Sequence, residues 1–306
     1  MLDFPTTVVP PLTPFARDLS VDAPALKRGV DYVVEDCDAG IVIVAGVEAQ
    51  EYQFLSLEAR KDLIRQTIAF VDRRRPVTVG VSHPSFRVAI ELAQFAQSLG
   101  AQSVQLLAPL RPFGGAQSTA DLVGYFEAVG REIDIPIMLY LNAGPGADVS
   151  IPATIELAKL DCVGFVKESS RDLARVSRLI EEIEHAGHAH YFTTMQMWLA
   201  SLMLGGTGVT LPPPAAKLAR AIAKAFSAGD WSEAARIQRQ LALWPSRWMQ
   251  YGLAPVMQAS LEWLGVPCGQ PYPPYRAIEG ADLDALHNYL ATIEIAGAPA
   301  GKGGSV

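Results

Sequence analysis

The sequence predicts a (β/α)8 barrel of the TIM type followed by a C-terminal helical extension. Three observations predict it. Short β-branched runs alternate with longer amphipathic stretches for about two-thirds of the 306 residues. The runs are near-continuously apolar instead of strictly alternating, the mark of strands buried on both faces. Eight such runs occur, the last ending near residue 212, and a closed barrel of this kind takes about 250 residues. Eight strands each followed by a helical segment argue for a parallel α/β architecture. An open doubly wound sheet is the alternative, but no G-x-G-x-x-G follows the first strand to favour it.

In order, the strand segments are TTVVP (6–10), GIVIVAG (40–46), PVTVGVS (76–82), SVQLLAP (103–109), PIMLYL (136–141), VGFVK (163–167), HYFTTM (190–195) and TGVTLP (207–212). Helices fill the intervals. Val88, Leu92, Phe95 and Leu99 recur at helical spacing, and Leu122, Phe126, Val129 and Ile133 repeat it one unit later. Ser56, Ser118 and Ser150 are placed as N-caps, Pro152 suits a first turn, and Gly100 a C-terminal stop. The Arg73–Arg75 run reads as the solvated end of a helix. PAAKLARAIAKAFSAG, WSEAARIQRQLALWPSRW, YGLAPVMQASLEWLG and LDALHNYLATIEI all read as helices. The expected division is therefore 1–212 for the barrel strands and helices, 213–295 for the last barrel helix plus a helical bundle, and 296–306 for a small, Gly-rich disordered tail. Trp231, Trp244, Trp248 and Trp263 fall in the bundle, as packing or as a subunit contact.

Half the residues are hydrophobic, the net charge is −7 and the pI about 5.3. Such a chain can build a large core, and nucleic acid is an unsuitable partner. Cys37, Cys162 and Cys268 are odd in number and far apart, without a C-x-x-C pair. This predicts neither a disulfide framework nor a zinc site, and fits a reducing cytoplasm. No apolar stretch reaches membrane-spanning length, and the N-terminus lacks the pattern of a signal peptide, so no membrane association is expected.

The residue that asks for an explanation is Lys167, which ends the run Val163-Gly164-Phe165-Val166 before a polar turn. A strand-end lysine ordinarily snorkels to water. Held instead in a partly apolar pocket, its amine is neutral more often and becomes a nucleophile toward carbonyls. The barrel order favours the second reading, because Lys167 then ends the sixth strand on the face where such barrels build their sites. Tyr140 ends the neighbouring fifth strand and is the candidate acid/base. Asn142 and Thr210 are candidate substrate contacts at the ends of strands five and eight. Glu48 and Glu51 follow strand two and His83 follows strand three. Two free carboxylates beside a substrate carboxylate would repel it, so one of the two glutamates should point away, pair with a cation such as Arg111, or be protonated. His83 is by type more often structural, and His185, His188 and His190 lack metal spacing, so no metal and no cofactor are expected.

The segment GFVKESS resembles the lysine-bearing strand of the dihydrodipicolinate synthase/N-acetylneuraminate lyase superfamily. VVPPLTPF (8–15), AIELAQFAQSLGAQSVQLLAP (89–109), PIMLY, MLGGTGV (203–209) and LEWLGVPCGQPYPP (261–274) resemble its other landmarks in order and spacing. The resemblance spans about residues 5–280. It implies a lyase that forms a Schiff base between Lys167 and pyruvate or a 3-deoxy-2-keto sugar acid, with Tyr140 as proton carrier. It implies a small-molecule 2-keto acid as partner and a homo-oligomer, a tetramer or a dimer. Aldol cleavage or condensation and dehydration all fit, as do a 4-hydroxy-tetrahydrodipicolinate synthase proper and a keto-acid-binding homologue without turnover.

The chain is also atypical. The superfamily's carboxylate-binding Gly-Thr-Thr-Gly-Glu loop becomes AGVEAQEYQFLS, placing Ala49, Gln50 and Glu51 at the substrate-binding positions. Leu110 and Arg111 replace the relay tyrosines after strand four, and AGPGADVS lacks the arginine that dihydrodipicolinate synthases place after strand five.

Overall fold

Eight parallel strands close into one barrel in the order β1-β2-β3-β4-β5-β6-β7-β8. They are β1 (Thr6–Val9), β2 (Ile41–Val44), β3 (Val77–Gly80), β4 (Ser103–Leu107), β5 (Ile137–Leu141), β6 (Val163–Glu168), β7 (His190–Thr194) and β8 (Gly208–Thr210). The structure is a computed structural model and describes residues 6–46, 54–109, 117–142 and 149–294. Glu48, Ala49, Gln50, Glu51, Leu110, Arg111 and the expected tail at 296–306 lie outside the described residues.

Each strand is followed by a helix: α1 (Ala23–Asp31), α2 (Leu57–Val71), α3 (Phe86–Ser98), α4 (Thr119–Gly130), α5 (Ile151–Ala158), α6 (Leu173–Leu179), α7 (Trp198–Met203) and α8 (Ala216–Ser227). Three more follow, α9 (Trp231–Arg239), α10 (Leu253–Trp263) and α11 (Gly280–Leu290). Ser56, Ser118 and Ser150 accept hydrogen bonds from the N–H groups of Ala59, Asp121 and Ala153, satisfying first-turn donors that would otherwise be orphaned. Gly100 follows α3 at φ 86°, in the left-handed region that ends a helix without a Cβ penalty.

The strands are apolar on both faces because each face has its own core. Val9, Val42, Val44, Val79 and Val166 pack outward against the helices. Val8, Ile41, Ile43 and Phe192 pack with each other inside the barrel. Toward β3 and β4 the interior is polar, with Thr78 and Ser103 sharing a 2.6 Å hydrogen bond. Gly208 leaves room for Phe192, whose ring carbon a Cβ there would meet at 2.4 Å.

Two expectations are corrected. The segment WSEAARIQRQLALWPSRW is not one helix: α9 stops at Arg239, and Pro245, which has no N–H to continue a helix, leads into a separate short turn at Ser246–Tyr251. The arginines after α2 are not merely solvated. Arg74 pairs with Asp31 and Glu35, and Arg75 with Asp38. Of the four bundle tryptophans, Trp244 and Trp248 are core residues, while Trp231 is about half exposed at 53%. Among the described residues no helix is long and apolar enough to cross a membrane.

Candidate active site

Strand periodicity places the candidate side chains. Successive side chains point to opposite faces, so Val166 and Glu168 face outward when Lys167 faces inward. The register pairs Tyr140 with Lys167 and Lys167 with Phe192. Tyr140 and Lys167 thus stand side by side in one interior row, each only 4% exposed. The Lys167 amine lies 3.6 Å from the centroid of the Tyr140 ring and donates to Ser169 Oγ at 2.9 Å. Ser169 is two residues further along the same face.

Above this pair opens a cavity of about 630 Å³ whose lining includes Tyr140, Asn142, Lys167 and Thr210. Four of the sequence-predicted site residues therefore converge on one mouth. The size suits a small metabolite. Thr210 is buried, and its Oγ1 has no hydrogen-bond partner among the described residues. Gln196 Nε2 lines the same cavity in the same condition. Unpaired buried polar atoms are costly, so their presence around a concavity is the mark of a surface shaped for a polar ligand.

His83 does not join this group. Its Nδ1 accepts the Ser85 N–H at 2.9 Å and its carbonyl accepts the Tyr125 hydroxyl at 2.7 Å, which fixes the start of α3. Near β7, His190 Nδ1 lies 3.0 Å from Glu184 Oε1, away from the cavity lining.

Glu168 is the buried counterpart on the outer face. Its Oε1 lies 3.5 Å from Arg175 Nε and accepts the Ser170 N–H at 3.1 Å, and its Oε2 accepts the Tyr191 hydroxyl at 3.4 Å. Burial holds this carboxyl above the usual carboxylate range, only partly offset by Arg175 and the Ser170 N–H. Burial likewise drives the Tyr191 phenol well upward. The network clamps the chain on both sides of Lys167: Arg175 also donates to the Val149 carbonyl at 2.8 Å, tying the start of α6 to the start of α5.

Sequence reasoning passed over Ser169, Arg171, Gln196, Ser246 and Gln250, all of which line the cavity. Ser169 had a signal, since a period of two from Lys167 reaches it. Ser246 and Gln250 come from the turn after α9 and no strand pattern could have placed them.

Comparison with known proteins bears out the resemblance. Residues 3–293 match the model of the dihydrodipicolinate synthetase family. The chain belongs to that family. It is 29% identical over 262 residues to the 4-hydroxy-tetrahydrodipicolinate synthase of Moorella thermoacetica, covering 84% of this chain and 87% of the relative. It is 31% identical over 238 residues to the enzyme of the same name from Leptothrix cholodnii, covering 77% and 79%. The fold superimposes on YagE, a prophage protein of the dihydrodipicolinic acid synthase family from Escherichia coli K12 solved in complex with pyruvate. That superposition has a TM-score of 0.86 at 24% identity and covers 95% of this chain and 99% of YagE.

Proposed function

We propose that this protein is a lyase that forms a Schiff base between Lys167 and a 2-keto acid, pyruvate or a 3-deoxy-2-keto sugar acid. The observation that carries the reading is the buried Lys167 amine at the floor of the cavity, beside the Tyr140 ring and the Ser169 hydroxyl. An amine there attacks the keto carbon, and loss of water from the carbinolamine leaves a protonated iminium. The iminium withdraws electrons from the adjacent carbon. A proton can then leave that carbon, or a carbon–carbon bond can break, with the electron pair held as an enamine. Tyr140 is the group that carries the proton, being next to Lys167 in the same row. Asn142 and Thr210 hold the substrate from the mouth, and Ala49, Gln50 and Glu51 are assigned to its carboxylate.

Membership of the family supports a lyase, and YagE, a member, holds pyruvate. The relatives named as 4-hydroxy-tetrahydrodipicolinate synthases make condensation one candidate reaction, beside aldol cleavage and dehydration. The protein is assigned as a homo-oligomer, a dimer or a tetramer, with exposed Leu173 and Met203 as apolar surface to cover. Light scattering of the purified protein reads that state directly.

The test is borohydride trapping with pyruvate and with a panel of 3-deoxy-2-keto sugar acids, followed by mapping of the added mass. A reduced adduct on Lys167, absent from Lys167→Arg, is the expected result. Full lyase activity in Lys167→Arg would refute the mechanism. An intact protein that binds keto acids without any adduct would instead mark a keto-acid-binding homologue.

A further inference from the structure

Arg171 lines the cavity four residues beyond Lys167, and the imine chemistry has no use for it. Its neighbours in sequence are all committed elsewhere. Arg175 is held by Glu168 and the Val149 carbonyl, and Arg178 by Glu182. Asp172 caps α6 by accepting the Ala174 N–H at 2.9 Å. Glu168 faces outward into its own network. The carboxylates of this segment have their partners elsewhere, and Arg171 forms no ion pair among the described residues.

A guanidinium at a cavity wall, paired with no acid among the described residues, favours an anion there. Four residues of chain span at most about 14 Å, and Lys167 and Arg171 line the same cavity. The other polar wall atoms agree with a ligand rich in oxygen. Gln196 Nε2 and Thr210 Oγ1 are buried and have no partner among the described residues, and Ser246 and Gln250 line the same space. Every 2-keto acid already carries one carboxylate next to its carbonyl. Arg171 adds a place for a second negative group.

We propose that Arg171 sets specificity by holding an acidic far end of the substrate, so that the site takes a keto dicarboxylate in preference to a keto acid with a neutral end. The proposal rests on Lys167 as the carbonyl-binding residue. Arg171 touches only the distal group, and it matters for binding and positioning instead of for proton transfer.

The experiment compares 2-oxoadipate with 2-oxohexanoate, which share chain length and carbonyl and differ in the distal carboxylate. Calorimetric titration of the wild type and of Arg171→Gln and Arg171→Lys gives an affinity ratio for each protein. A charge-assisted hydrogen bond contributes a factor of roughly ten to a hundred, and exposure to salt puts Arg171 near about tenfold. The wild type should prefer 2-oxoadipate by about that factor. The ratio should fall to about one in Arg171→Gln, stay partly raised in Arg171→Lys, and shrink as salt is added. A ratio near one in the wild type, or one unmoved in Arg171→Gln, overturns the proposal. A 6-phosphorylated 3-deoxy-2-keto acid is the third arm: a larger, Arg171-dependent preference for it overturns the assignment to dicarboxylates. Borohydride mapping of the wild type with 2-oxoadipate runs alongside. Absence of an adduct on Lys167 sinks the Schiff-base reading by itself, while the affinity ratios still decide the part played by Arg171.

Discussion

Replacing Tyr140 by phenylalanine separates the two things this side chain offers Lys167. The ring lies 3.6 Å from the amine, a distance at which an aromatic face attracts a cation by up to about 2 kcal/mol when water is excluded. Phenylalanine keeps that contact and the packing, and removes only the hydroxyl. If the hydroxyl carries the proton, its loss should cost the 10²–10⁴ typical of a positioned acid/base, or about 3–5 kcal/mol of barrier. The assay is exchange of the pyruvate methyl protons in deuterium oxide, followed by NMR, because exchange reports enamine formation without a second substrate. Borohydride trapping on Lys167 is measured in parallel. Tyr140→Phe should still be trapped, while exchange falls by that factor. Tyr140→Leu, which also removes the ring, should impair both. Exchange in Tyr140→Phe within about threefold of wild type would refute the assignment, since no acid/base worth the name is removed so cheaply.

Three further outcomes follow from the geometry. In Gly80→Ala the added Cβ would stand 2.3 Å from the Ala45 carbonyl oxygen, against backbone that cannot swing aside, so urea unfolding should show a loss of about 1–3 kcal/mol; an unchanged midpoint would contradict the packing at the end of β2. Glu168 binds its proton more tightly folded than unfolded, so its contribution is fully present below the ordinary carboxylate range and is lost as pH rises through its raised value. The stability of Glu168→Gln relative to wild type should therefore increase upward from about pH 4 in thermal melts across pH, and a flat difference would remove the reasoning. Cys37 is buried with its thiol pushed up to about 12, and Cys268 is buried and raised as well, so a thiol reagent at pH 8 should label neither until the protein is unfolded.

The strands were legible because burial on both faces removes the usual ambiguity of a half-polar pattern. Ile41 and Ile43 serve the barrel interior while Val42 and Val44 serve the helix layer, and the run reads IVIV for that reason. Caps were legible for an equally local cause, as Ser56, Ser118 and Ser150 each satisfy donors within three residues. Lys167 and Tyr140 were legible through strand ends, because parallel register carries residues far apart in sequence to one row. Arg171 was not. It sits one turn of chain past the strand, where period-two logic stops and only the path of the backbone decides whether a side chain meets the cavity. The end of α9 was missed because apolar spacing continues through Leu241 and Leu243 after the helix has ended, Leu241 entering the core and Leu243 remaining exposed.

The bundle is a wall of the site as much as an appendix to the barrel. Trp244 is buried and donates from Nε1 to Ser260 Oγ at 3.1 Å, fixing the chain before Pro245 to the middle of α10. Trp248, also buried, packs its ring 5.6 Å from that of Tyr289 in α11. These two anchors hold the Ser246–Tyr251 turn over the mouth, where Ser246, Met249 and Gln250 line the cavity opposite the strand ends. The division of labour follows from what each part can vary. Lys167 and Tyr140 are locked in a barrel row whose register tolerates no slip, since one residue of shift would turn them out of the barrel. The turn after α9 has no such register, so its side chains can change while the row beneath stays in place. On the proposed function, chemistry would be seated in the strands, and the choice of substrate would fall to Arg171 and the residues of this turn.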